Sequence, residues 1–233
     1  MAVILIIETS TKNCSVALSK NGKVLKSIDY NDGKFSHAEK LHHYIKSICI
    51  KAKIKIKDIQ AVAVGKGPGS YTGLRIGVSS AKGICYGLNI PLISFETLEI
   101  LSKTYASSHH ITKGDILIPM IDARRMEVYT TLMDYNFNKI SPTEARILTD
   151  NCYEKYLGIK TCHIFGDGAL KSESLYKSKT SKFSPEIFPS AKVMAMDAYD
   201  YFLNKRFENL AYFEPYYLKN FIDSSNSKSE ISK

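Results

Sequence analysis

The chain has 233 residues, 44% hydrophobic and 24% charged, which are the proportions of an ordinary globular protein; global disorder is excluded and a sizeable core can form. The length suits two compact lobes. A formal net charge of +9, from 32 Lys plus Arg against 23 Asp plus Glu, favours polyanions such as RNA or nucleotides without naming one, and lysines such as Lys51, Lys53, Lys55 and Lys57 also read as a solvated face.

Val3 to Ile7 is an apolar run too short to span a membrane, with no basic flank, and polar Glu8, Thr9 and Ser10 follow at once. It reads as a buried strand and not as a signal peptide, which predicts a cytoplasmic protein with no membrane partner. Cys14 to Ser19 and Val24 to Ile28 flank the two-residue turn Asn21-Gly22, so the chain opens as a three-stranded antiparallel meander. Ser36 with Glu39 three residues on has the form of a capping box. Leu41, Tyr44, Ile45, Ile48 and Cys49 then repeat at helical spacing, which predicts a helix over 37–51.

Ile59 to Val64 predicts a buried strand, Gly65 to Gly69 a sharp turn, Ser70 to Gly87 a helix rich in small residues, Pro91 to Phe95 a strand and Thr97 to Tyr105 a helix. Alternation of this kind implies parallel pairing beside the meander. The polar stretch Ser107 to Gly114 marks a lobe boundary. After it, Ile116 to Ile121, Glu127 to Met133 and His163 to Phe165 with Gly166-Asp167-Gly168 repeat the theme. A helix is expected over 193–207. The expected domains are 1–106, carrying the docking helices, 107–221, and a mobile tail at 222–233.

The stretch Gly65 to Gly77 holds five glycines around Pro68, but it fits neither GxGxxG, which needs glycine where Ser70 stands, nor GxxxxGK[ST]. Within the helix, Gly73, Gly77, Ala81 and Cys85 recur every four residues, and Ser79, Gly83 and Gly87 do so on an adjacent face. Each glycine costs a helix about 1 kcal/mol against alanine, so a close neighbour is implied, either the chain's own sheet or a partner helix. The five cysteines form no CxxC pair and read as reduced core thiols. His37, His42 and His43 have the wrong spacing for HxxxH or HExxH, and His109, His110 and His163 suggest no site, so no metal is expected.

Gly67-Pro68-Gly69-Ser70-Tyr71-Thr72-Gly73-Leu74-Arg75-Ile76-Gly77 resembles the motif G-P-G-S-[FY]-T-G-L-R-I-G of the TsaB (also YeaZ) family of tRNA threonylcarbamoyladenosine biosynthesis proteins. Ile6-Ile7-Glu8-Thr9-Ser10 is similar to that family's opening strand and turn, Ser36-His37-Ala38-Glu39 to its H-S-E element, and Asp122-Ala123-Arg124-Arg125 to its D-A-R-R segment. Pro215-Tyr216-Tyr217-Leu218-Lys219 is similar to P-x-Y-L-R with lysine substituted. The resemblance implies an α/β chain of the actin-like ATPase (sugar kinase and Hsp70-like) fold, built of two RNase H-like lobes.

It also implies a job: pairing with the catalytic subunit TsaD, which threonylcarbamoylates the adenosine next to the anticodon, with the ATPase TsaE docking on the pair and tRNA engaged through the complex. The expected docking face is His37, Leu41, Tyr44, Ile45 and Ile48 on the first helix, with Tyr71, Gly73, Leu74, Ile76, Gly77, Ser80 and Ala81 on the second. Through that face the chain alone can pair with itself, and Gly77→Leu is expected to stay folded while losing the partner. Glu8, Ser10, Arg75, Asp122, Arg124 and Arg125 are candidates for proximity to nucleotide or tRNA, Arg124 and Arg125 alternatively forming a salt-bridged loop. Kinases of this fold need glycines in the second phosphate loop, where Ala123, Arg124 and Arg125 stand, so no catalytic residue and no cofactor of its own are expected, with ATP or ADP at most at the complex interface. The alternatives are an active phosphotransferase of the same fold and a metallopeptidase-like hydrolase.

Overall fold

The computed structural model describes residues 2–34, 36–178 and 180–219, which form two five-stranded mixed sheets. The first contains β1 (Val3–Glu8), β2 (Cys14–Lys20), β3 (Lys23–Tyr30), β4 (Ala61–Gly67) and β5 (Leu92–Glu96), in the order β3-β2-β1-β4-β5. β1 and β3 run antiparallel to β2, whereas β4 is parallel to β1 and β5. The second contains β6 (Ile116–Asp122), β7 (Glu127–Thr130), β8 (Glu144–Ile147), β9 (Cys162–Phe165) and β10 (Ser181–Ser184), in the order β10-β9-β6-β7-β8. β7 is antiparallel to β6 and β8, and β9 is parallel to β6 and β10. Counted from the start of each half, order and direction are the same, so the chain is two copies of one topology, the RNase H-like lobe of the actin-like ATPase fold.

Among the described residues five α-helices accompany the sheets: α1 (His37–Ala52), α2 (Tyr71–Leu88), α3 (Thr97–Ala106), α4 (Glu173–Tyr176) and α5 (Ala195–Leu203). β1 is buried at all six positions because helices cover both faces of the first sheet. Leu5, Ile7, Val16, Val62 and Val64 lie under α1 and α2, which contribute Leu41, Ile45, Ile48, Val78 and Ala81. On the other face Ile4, Ile6, Ala61, Ala63 and Ile93 pack against Ile100 of α3 and Ala195 and Ala198 of α5. Alternate side chains of one strand therefore both enter a core, which explains an unbroken apolar run where a half-exposed strand would alternate.

α3 joins the halves. Its Ile100 faces the first sheet, while Leu98, Leu101 and Tyr105 pack on Leu117, Ile121, Met133 and Phe165 of the second. The Tyr105 hydroxyl lies 2.7 Å from His163 Nδ1, and His163 Nε2 lies 2.9 Å from the Asp115 carboxylate. Desolvation holds His163 below the usual histidine range, so the ring is neutral, donating to Asp115 and accepting from Tyr105.

Four expectations are corrected. Ser36 precedes α1 but its side chain makes no capping bond. The helix expected over 193–207 is a single 3₁₀ turn, Ala191–Met194, followed by α5, which ends at Leu203. β7 stops at Thr130, and Met133 forms isolated bridges to Leu117 and Lys139 instead. Nor does the chain divide into two contiguous lobes: residues after 190 return to the first sheet, α5 covering one face and Phe213 entering the core on the other. The tail expected at 222–233 lies outside the described residues.

Candidate functional site

The glycine turn after β4 is shaped by what it must pass. A Cβ on Gly65 would lie 1.9 Å from Glu8 Oε2, and one on Gly69 would lie 2.4 Å from the Ser10 carbonyl oxygen. The Ser70 N–H donates to that same carbonyl at 2.7 Å, and the Ser70 hydroxyl then accepts the Gly73 N–H at 3.3 Å, starting α2. Cβ atoms on Gly73 and Gly77 would come within 2.1 and 2.2 Å of Thr9. Thr9 Oγ1 donates to the Gly73 carbonyl at 2.8 Å, and His37 Nε2 donates to the Thr11 carbonyl at 2.7 Å. The β1–β2 turn is thus clamped beneath the first turns of α1 and α2.

Clamping seals Glu8 and Ser10, both wholly inaccessible to solvent. Glu8 Oε1 accepts the Ser10 N–H at 2.6 Å, while Oε2 and the Ser10 hydroxyl have no hydrogen-bond partner among the described residues. Burial pushes the Glu8 carboxyl above its usual range, the bonds from Ser10 and Thr9 opposing. The expected proximity of Glu8 and Ser10 to nucleotide is corrected to this extent: in this conformation neither can touch one.

On the second sheet the β6–β7 turn presents Asp122, Arg124 and Arg125, all exposed. Asp122 Oδ1 accepts the Arg124 N–H at 2.6 Å and Lys171 Nζ at 2.5 Å, and the Asp122 N–H donates to Asp167 Oδ1 at 3.0 Å. Arg124 and Arg125 have φ of +70° and +47°, and neither forms an ion pair among the described residues, so the salt-bridged loop is not what the structure shows. Burial pushes the Asp167 carboxyl above the usual carboxylate range, against the N–H it accepts from Asp122. Gly166 and Gly168 let the adjacent turn pass the Met120 carbonyl, where Cβ atoms would clash.

Residues 211–219 run as a strap from the glycine turn to the start of β7. Lys82 Nζ holds the Ala211 and Phe213 carbonyls at 3.2 and 2.8 Å, and the Tyr216 N–H donates to the Lys66 carbonyl at 2.7 Å. The Tyr217 ring lies 4.9 Å from that of Tyr71, and Arg75 stacks 4.1 Å over Tyr71 with its Nε 3.4 Å from the Tyr217 hydroxyl. Lys219 closes the line in an ion pair with Glu127 at the start of β7. A groove of about 300 Å³ runs between the strap and α2, lined in part by Arg75, Ser79, Lys82 and Tyr217.

The expected docking residues divide. His37, Leu41, Ile45, Ile48, Gly73, Leu74, Gly77 and Ala81 are buried within the chain and cannot contact a partner directly; a periodic apolar stripe faces the protein's own core first. Tyr44, Tyr71, Ile76 and Ser80 remain partly accessible. The helices run side by side, His37 beside Gly73 and His42 Nε2 3.1 Å from Ser80 Oγ. Their outward side carries Ile50 (65% exposed) and Tyr86 (84%), with open space at Gly83 and Gly87. Ile50 and Tyr86 were legible as apolar residues out of phase with the buried stripe.

Residues 32–219 match the family described as "TsaD: tRNA N6-adenosine threonylcarbamoyltransferase". The tRNA threonylcarbamoyladenosine biosynthesis protein TsaB of Buchnera aphidicola subsp. Schizaphis graminum is 33% identical over 196 residues, spanning 82% of this chain and 90% of that protein. TsaB of Escherichia coli is 28% identical over 223 residues, 93% of this chain and 94% of its own. The structure of YeaZ from Pseudomonas aeruginosa superposes with a TM-score of 0.77 at 22% identity, covering 94% of this chain and 100% of that one, and shares the fold. On its sequence over most of its length, the chain belongs to the TsaB (YeaZ) family.

Proposed function

We propose that the chain is a non-catalytic partner subunit in the threonylcarbamoylation of the adenosine next to the anticodon in tRNA. Family membership supports a role in tRNA threonylcarbamoyladenosine biosynthesis; the subunit role rests on the outward strip of α1 and α2. Two parallel helices whose outer side combines small residues with exposed Ile50 and Tyr86 are suited to close helix packing with an aromatic anchor. The occupant in this reading is the catalytic subunit TsaD, with the ATPase TsaE joining the pair and tRNA reached through the complex. A second copy of the chain covers the same strip when the partner is absent.

In this reading the isolated chain has no activity of its own. Glu8 is sealed, and the second turn carries arginines where a close backbone approach to phosphates needs glycine. Among the described residues no group of three or more His, Cys, Asp or Glu could hold a metal ion, and no helix is long and apolar enough to cross a membrane. ATP or ADP, where it takes part, belongs to the assembled interface.

Size-exclusion chromatography with light scattering tests the reading, with the chain alone and mixed with the catalytic subunit of its host. A heteromeric peak is expected, lost on Gly83→Leu together with Tyr86→Ala while circular dichroism stays unchanged. Two unshifted wild-type peaks, or a variant that still associates, would overturn it.

A further inference from the structure

We infer that the β6–β7 turn is an anchoring site for backbone phosphates of RNA, with Arg124 and Arg125 as its contacts. The inference rests on the reading of tRNA as the substrate of the complex and adds that this chain itself touches it. Three observations carry it. First, both arginines adopt left-handed backbone, φ +70° and +47°, which residues with a Cβ rarely do. The Glu127 N–H donates to the Arg124 carbonyl at 3.2 Å, closing a tight hairpin turn in which glycine at 125 would be unstrained. A strained turn that keeps two long cations where Asn-Gly would fold more easily points to use of those cations.

Second, the guanidinium groups are exposed and free of ion pairs among the described residues. The carboxylates beside them are already engaged, Asp122 by Lys171 and Glu127 by Lys219, so the local acids do not neutralise the arginines. Third, the turn is held rigidly: the Asp122 carboxylate accepts the Arg124 N–H, and the Ala123 N–H donates to the Glu127 carbonyl at 3.1 Å. The two donor forks therefore project from a fixed base, which lowers the ordering cost of binding. Two arginine forks on one turn suit adjacent phosphates of a strand, which arginine recognises through paired N–H donors.

The test is fluorescence anisotropy of a labelled tRNA transcript with the full chain at 50 and 200 mM salt. Arg124→Gln with Arg125→Gln is expected to weaken binding at least about fivefold and to flatten the salt dependence by about one to two phosphate contacts. Lys23→Gln with Lys26→Gln removes the same charge from exposed β3 and is expected to change affinity less than about twofold. Arg124→Asn with Arg125→Gly is expected to lose RNA as the glutamine pair does while its Tm rises by about 2–4 °C, an outcome a merely structural turn would not give. Equal losses in the arginine and lysine pairs, or displacement of the transcript by ATP at charge-matched concentration, would assign the binding to general charge or to a nucleotide and overturn the inference. So would no binding by the wild type at 50 mM salt, and that result would leave partner association, read separately by light scattering, untouched.

Discussion

Lys219 in the C-terminal strap is ion-paired to Glu127 at the start of β7, so a segment anchored by Phe213 in the first lobe ends on the second. The strap spans the mouth between the glycine turn and the arginine turn. Beyond Phe213 it is held by separate polar and ring contacts and no continuous core, and each is worth little alone.

Lys219→Ala should therefore cost at most about 1 kcal/mol, because both members of the pair are partly exposed. The loss should shrink as salt is raised. Urea denaturation at low and high salt reads both; a salt-independent loss above about 2 kcal/mol would make the strap part of the core.

The glycines of α2 should behave oppositely by face. Gly73→Ala places a methyl about 2.1 Å from the Thr9 carbonyl oxygen, which cannot move without the β1–β2 turn, so a loss of about 2 kcal/mol or more is expected. Gly77→Leu meets Thr9 as well and is expected to unfold the lobe, against the first expectation that it would stay folded. Gly83→Ala and Gly87→Ala enter open space and should each stabilise by about 0.5–1 kcal/mol. Thermal melts of the four variants decide it, and a uniform response would contradict the two-faced packing.

Glu8 should make stability fall as pH rises. Below its ordinary value of 4.5 the carboxyl is protonated in both states. Above that value the unfolded chain releases the proton while the folded chain, whose carboxyl is raised, retains it; wild-type stability declines until the folded pKa is passed. Glu8→Gln removes this dependence, so its stability relative to wild type should grow from pH 4 upward. Denaturation midpoints over pH 4–8 for both proteins check the sign, and parallel curves would show that the carboxyl is not buried in solution.

Tyr105→Phe deletes the hydroxyl 2.7 Å from His163 Nδ1 and leaves a buried nitrogen without its donor, a cost of about 1–3 kcal/mol. Because α3 serves both cores, the melt should remain a single transition at lower temperature. Calorimetry showing two resolved transitions would mean that α3 does not couple the lobes.

Much of the fold was legible in the residues. The run Val3–Ile7, the Asn21-Gly22 turn with both φ positive, and the apolar stripe of α1 each follow from local spacing and backbone preference. The return of α5 to the first sheet was not, because a helical period says which residues share a face and nothing about which of two sheets that face will meet. The expected docking face divides for the same reason: Leu41 and Leu74 belong to an apolar stripe whose nearest apolar surface is the chain's own, while Tyr44, Tyr71, Ile76 and Ser80 stay partly accessible.

By itself the sequence determined the repeated α/β pattern and the family, since strand and helix periods and a contiguous motif are local properties of the chain. Only the tertiary structure decided that Gly73 and Gly77 admit the Thr9 turn while Gly83 and Gly87 face outward, that Glu8 is sealed, and that Arg124 and Arg125 stand without an ion pair among the described residues. Those facts depend on distances between segments far apart in the chain, set by how the covered sheets and the shared helix α3 pack, and no short-range pattern carries them.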